Sequence, residues 1–148
     1  MRIIFILLTA LFLSSCDPCG NIDCNDNERY EADFRIISSF EGKDLLFGPT
    51  ASYRKEAIKF YSLKGSDTIF FPFKAFDIKQ PEYDSILLVD FISKPETAYI
   101  KLSNGDVDTL SLTFGQQQGR CCIYNVIAEV SVNGSAGIFR HDVVEIKK

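Results

Sequence analysis

Runs rich in valine, isoleucine, phenylalanine, tyrosine and threonine recur about every ten residues along most of this chain: 30–40, 57–63, 68–73, 85–92, 97–103, 107–114, 121–132 and 137–147. Short β-favouring runs at that spacing, separated by turn residues, specify a sandwich or a barrel, and no helical stripe competes with them. The phase is clearest in the sixth run, where Leu110, Leu112 and Phe114 share one face and Thr109, Ser111 and Thr113 the other. Such alternation marks a half-buried antiparallel strand. Asn104-Gly105 and Asn133-Gly134 each lie between two runs, and both pairs suit a type I′ hairpin turn, which needs positive φ at its two central positions. Lys64-Gly65-Ser66 marks a third hairpin tip, and Gly115-Gln116-Gln117-Gln118-Gly119 reads as a longer polar loop, so that the final four runs form a meander. The expected fold is an all-β, antiparallel β-sandwich, immunoglobulin-like or prealbumin-like, of about 7 to 9 strands. A closed barrel is the main competitor.

The first sixteen residues carry a different signal. Arg2 is followed by an apolar stretch from Ile3 to Leu13 and then by Ser14-Ser15-Cys16. That stretch has the length of a signal-peptide core and falls short of the roughly 20 apolar residues needed to cross a bilayer. The pattern Leu13-Ser14-Ser15-Cys16 resembles the lipobox of bacterial lipoproteins, which implies that Cys16 is lipidated and that residues 1–15 are removed. An ordinary secretory signal would show an Ala-x-Ala-like site instead. Two or more acyl chains hold a protein firmly where one holds it marginally. The membrane is therefore an expected partner, through a lipid anchor, with the outer membrane favoured over the inner.

Cleavage before Cys16 leaves 133 residues, enough for one domain with a real core. Formal charge moves from −4 to −5, because Arg2 is the only charged residue lost. Nothing basic is clustered with aromatics, so nucleic acid is not an expected partner. Residues 16–29 are polar and aperiodic, with Pro18, Gly20, Asn21, Asn25 and Asn27. They read as a tether, and the folded β-sandwich domain as residues 30–148.

Once Cys16 carries lipid, Cys19, Cys24, Cys121 and Cys122 remain, an even set in an exported chain. A Cys121–Cys122 bridge would close a strained vicinal ring, so the favoured reading clips both tether cysteines onto the start of the Cys121 strand. Which pairs with which stays open. Because adjacent strand residues face opposite ways, two such bridges need a bulge or a strand end at that point. Four thiolates around zinc form the alternative, but the Cys19-x4-Cys24 spacing is poor for a structural site.

Other chemistry is weakly supported. The stretch from Asp23 to Glu28 lacks the central glycine and the bidentate glutamate of a calcium loop. His141 is the only histidine, so no multi-histidine metal site can form. Ser135 in Asn133-Gly134-Ser135-Ala136-Gly137 misses the nucleophile elbow at its first position. No cofactor and no metal are expected. Asp67-Thr68-Ile69, Asp84-Ser85-Ile86 and Asp108-Thr109-Leu110 match a periplasmic O-glycosylation pattern of some Gram-negative lineages, making Thr68, Ser85 and Thr109 candidate acceptors, although an Asp turn before a Thr-rich strand yields the same tripeptide. Phe70-Phe71-Pro72-Phe73 with Phe76 is the densest aromatic group. Core packing explains most of it, and Pro72 marks an edge or bulge, so Phe71 and Phe73 are the candidate interaction residues.

Cys16-Asp17-Pro18-Cys19, Gly42-Lys43-Asp44-Leu45-Leu46, Leu102-Ser103-Asn104-Gly105-Asp106, Asp108-Thr109-Leu110 and Arg120-Cys121-Cys122 together resemble small Gram-negative envelope lipoproteins with a single β-sandwich domain. The resemblance implies an anchored β-domain and transfers no catalytic residue. The functional expectation is a lipid-anchored, non-catalytic interaction module for an envelope protein or glycan, with a small hydrolase acting on envelope polymers as the alternative.

Overall fold

The computed structural model describes residues 19–20, 24, 30–80, 83–140 and 143–148. Residues 1–18, with Cys16, and His141 lie outside the described residues. Eleven strands are described: β1 (Tyr30–Ile37), β2 (Lys59–Lys64), β3 (Asp67–Phe71), β4 (Phe73–Gln80), β5 (Tyr83–Phe91), β6 (Thr97–Ser103), β7 (Asp106–Gln118), β8 (Ile123–Val132), β9 (Ser135–Ala136), β10 (Ile138–Arg140) and β11 (Val143–Lys147). A short 3-10 turn at Lys55–Ala57 is the one helical element among the described residues.

Two sheets form a sandwich, one ordered β10-β11-β1-β5-β4 and the other β3-β2-β6-β7-β8-β9. Alternating apolar positions supply one continuous core. Phe34 and Ile36 on β1, Leu87, Val89 and Phe91 on β5, and Val144 and Ile146 on β11 face Phe60, Phe71, Ala98, Ile100, Leu102, Leu110 and Val130 of the opposite sheet. Rings interlock across the gap, with Phe34 to Phe60 centroids 5.5 Å apart and Phe71 to Phe91 5.0 Å apart. Burying such side chains stabilises by about 1.5–3 kcal/mol each, which makes this layer the main source of stability.

Several expectations need correction. The sheets are not purely antiparallel, since β1 pairs with β11 in parallel, Phe34 opposite Val144 and Ile36 opposite Ile146. Nor do the last four runs make a meander. After β9 the chain leaves the six-stranded sheet at Gly137, whose N–H donates to Val130 O at 2.8 Å and where a Cβ would come within 2.6 Å of that oxygen. It then crosses to the other sheet as β10 and β11. The strand count exceeds 9 because Pro72, lacking an N–H, divides one aromatic run into β3 and β4 on different sheets, and because β9 and β10 are short.

The glutamine segment is not a loop. β7 continues through Gln118, pairing Gln116 with Asn125 and Gln118 with Ile123. β6 stops opposite Ser111, with one further backbone bond from Leu112 N–H to Glu96 O at 2.9 Å, and from Thr113 on β7 pairs with β8 alone and forms a two-stranded ribbon. At the turns, Asn133 (φ 52°) and Gly134 (φ 77°) both have the positive φ of a type I′ pair, whereas at Asn104-Gly105 only Gly105 does. The β6–β7 register shift between Lys101 and Ser103 accompanies that second turn.

Candidate functional site

Strand phase decides which aromatic side chains reach solvent. On β3, Phe71 points inward and is only 3 % exposed, while Phe70 points outward and is 56 % exposed. Phe71 as an exposed contact is thus corrected: its alternation places it in the core against Phe91. Phe73, after Pro72, is half-buried with its ring 5.4 Å from Phe60.

The outward face of the six-stranded sheet carries the aromatics that the core does not use. Tyr61 on β2 stands opposite Phe70 on one side and opposite Tyr99 of β6 on the other. Tyr61 and Tyr99 stack at 5.2 Å with 23° between ring planes, and Tyr61 meets Phe70 at 6.1 Å. These cross-strand neighbours make a row of three rings across three strands. Lys59 Nζ lies 5.8 Å from the Phe70 centroid and is directly opposite Lys101. Neither lysine makes an ion pair with a described residue. Like charges opposed on a sheet repel, a cost that an acidic partner would relieve.

A groove of about 390 Å³ adjoins the row. Ile58, Phe60, Phe70, Phe71, Pro72 and Phe73 line it with Lys59. Phe70 is its outer wall, and the buried Phe60 and Phe71 lie towards the core. β3 is also an edge strand of its sheet, so unpaired backbone groups run beside the groove. The sequence pattern found this corner through Phe70-Phe71-Pro72-Phe73 but named buried Phe71 in place of its exposed neighbour Phe70. It gave no sign of Tyr61 and Tyr99, whose adjacency depends on the pairing of β2 with β6.

A second constellation gathers carboxylates that sequence reasoning left unplaced. Asp106 and Asp108, two apart on β7, share a face. Lys148 Nζ lies 2.5 Å from Asp106 Oδ1 and 2.6 Å from Asp108 Oδ2. Tyr53 Oη donates to Asp106 Oδ2 at 2.6 Å, and Asn133 Nδ2 donates to Asp108 Oδ1 at 2.7 Å. Asn133 Oδ1 in turn accepts the Thr109 N–H at 2.9 Å. Burial pulls the Asp106 carboxyl upward, but hydrogen bonds from Lys148 and Tyr53, with the lysine charge, outweigh it and hold the group below its usual range. For Lys148, burial pulls down while the bonds and charges of Asp106 and Asp108 prevail and raise it. Burial, the bond to Asp106 and the two carboxylate charges push the Tyr53 phenol up to about 12. Both carboxylates are compensated by neighbours from the 38–58 segment, the β8–β9 turn and the residue after β11. The arrangement ties the two sheets together.

Both tether cysteines reach the strand start, as Cys19–Cys121 and Cys24–Cys122 disulfides. Bridged sulfurs are not available as four zinc thiolates. The ribbon ends between Gln118 and Ile123, so Cys121 and Cys122 sit in a turn where the alternation rule does not bind them. No group of three or more metal-ligating side chains occurs among the described residues. Nor is any described helix long and apolar enough to cross a membrane. Of the glycosylation candidates, Thr68 is exposed on edge strand β3 and Thr109 is half-buried beside Asn133. Ser85 is placed on β5, and its side chain lies outside the described residues.

The fold and the surface define a two-sheet, disulfide-pinned β-sandwich with an aromatic row. No protein-family model matches the chain, and neither a curated protein nor a solved structure does.

Proposed function

We propose that the chain is a lipid-anchored, non-catalytic interaction module of the bacterial cell envelope, held in the outer membrane through Cys16, and that Phe70, Tyr61 and Tyr99 form its recruiting surface. The observation that carries the reading is the solvent-facing row of three rings beside an apolar groove, flanked by Lys59 and Lys101. Aromatic anchors beside a pocket are the usual centre of a protein-binding patch. A protein ligand fits better than a sugar, because Tyr61 and Tyr99 occupy each other's ring faces and leave less flat area for a pyranose to stack on. The partner this surface suits is an acidic, extended segment that places one apolar side chain in the groove and runs along β3.

A photo-crosslinking residue at position 70 of the full lipoprotein, activated in its own membrane, tests the reading. The expected result is one defined protein adduct that disappears when Tyr61→Ala and Tyr99→Ala are introduced together. An adduct indifferent to both substitutions, or an adduct with glycan alone, would overturn the protein-recruiting assignment.

A further inference from the structure

We infer that the tip of the β7–β8 ribbon meets the lipid surface end-on, with Ile123 and Tyr124 at headgroup level; the inference rests on the reading of Cys16 as the acylated residue. Only Asp17 and Pro18 separate Cys16 from Cys19, three residue steps that reach at most about 11 Å even when fully extended. Cys19 is bridged to Cys121 with their Cα atoms 5.2 Å apart, which keeps Cys121 within roughly 16 Å of the lipid attachment. Since the Cys24–Cys122 bridge fastens a second point of the tether to the same turn, the tether cannot swing this turn away from the membrane. The bilayer must therefore lie beside the ribbon tip.

The residues at that tip suit the location. Ile123 is 47 % exposed and Tyr124 50 %, two large side chains in water at the start of β8. Arg120 is the sole charged residue from Phe114 to Ala128, in a chain that is 24 % charged overall. A guanidinium there faces phosphate headgroups, and the neighbouring Gln116, Gln117 and Gln118 bring no charge that must be dehydrated. Successive strand residues point to opposite faces, so Ile123 and Tyr124 flank the ribbon on its two sides and present together only to a surface approached tip-first. Tyrosine is favoured at the headgroup level because its ring is apolar and its hydroxyl stays wet. The Tyr124 ring is also held in place: it lies over Gly119, where a Cβ would come within 2.3 Å of its Cε2. The Gly119 N–H donates to Cys122 O at 2.8 Å, closing the turn on which that ring rests.

The chain contains no tryptophan, so a single substitution gives a unique fluorophore. Full-length acylated protein bearing Tyr124→Trp or Ile123→Trp is reconstituted into phosphatidylethanolamine and phosphatidylglycerol vesicles with brominated acyl chains. Phe40→Trp serves as the control, since Phe40 is fully exposed and lies next to Ser39, whose N–H donates to Lys148 O at the opposite end. At least twofold quenching with a blue-shifted emission is expected at position 124 or 123, and none at position 40. Intact mass separates the two ways of failing. Acyl mass on Cys16 with emission unquenched at both 123 and 124 overturns the ribbon contact and leaves the anchor standing. A chain without acyl mass overturns both.

Discussion

At one end of the sandwich, where the β7–β8 ribbon projects, two covalent bridges pin the tether to Cys121 and Cys122. At the other end, about 12 residues back along β7 and roughly 40 Å away, Lys148 joins the end of the five-stranded sheet to Asp106 and Asp108 of the six-stranded one. The first fastening acts on the unfolded chain, whose entropy it reduces, and is indifferent to pH. The second acts through charge and hydrogen bonds in the folded state, and pH reaches it. Between them lies the outward row of Phe70, Tyr61 and Tyr99, in neither fastening, which leaves it open to a partner.

Breaking the covalent end should have the largest effect. Replacing Cys19 and Cys24 together by serine opens loops of 102 and 98 residues. In the chain-entropy model each bridge is worth about 4 kcal/mol, and even one lowers Tm by on the order of 15 °C. Differential scanning calorimetry of oxidised and double-serine proteins measures it. A drop of only a few degrees would mean that the tether contributes little to the fold.

The polar end should cost less and show a pH signature. Lys148→Met leaves Asp108, which is buried, without its cation, and should destabilise by about 2–3 kcal/mol at neutral pH in urea unfolding. Asp106 has a depressed folded pKa, so its stabilisation is complete above the ordinary carboxylate value of 3.8 and is lost as pH falls through the lower folded value. Lys148 has a raised one, so its contribution is complete below 10.5 and is lost as pH rises through the higher folded value. Tyr53 keeps its proton to about 12 in the fold, against 10.0 when unfolded, which favours unfolding across that interval. The native protein should therefore lose stability in strong acid and above pH about 10, and Lys148→Met should flatten the acid limb and reduce the alkaline one to the part carried by Tyr53, which burial and Asp106 sustain. An unchanged acid limb in the variant would exclude the Asp106–Lys148 pair as its source.

The smallest stability effect is expected in the middle. Tyr61→Ala with Tyr99→Ala removes half-buried rings from an outer face and should cost about 1 kcal/mol or less, while abolishing the position-70 adduct. A large loss of stability would mark the row as a structural element.

The same two ends differ in how far the sequence discloses them. Leu110, Leu112 and Thr109, Ser111, Thr113 announce their strand because one face is buried and the other wet. Phe114 and Ile127 are the last ribbon residues packed against the core, and beyond them Gln116, Gln117 and Gln118 are exposed, so the glutamines look like a loop, although backbone pairing and the bridges hold them as strand. Two tether cysteines and an adjacent pair give the covalent end away. At the polar end only Asp106 and Asp108 show their shared face by spacing, while Asn133 arrives through the β7–β8 pairing, Tyr53 through its backbone bond to Leu45, and Lys148 through the parallel pairing of β1 with β11, which no local pattern encodes. The ring row lies between these cases. Its residues are plain in the sequence, but their register is not, and one step of strand phase separates buried Phe71 from exposed Phe70.

A domain pinned close to an acylated Cys16 is the central proposal. Non-reducing peptide mapping with intact mass, on protein purified from its own membrane, tests that most directly. A chain beginning at acylated Cys16, with Cys19–Cys121 and Cys24–Cys122 linked peptides, is the predicted result. Free thiols in the native protein, or a mature terminus elsewhere without acyl mass, would contradict it.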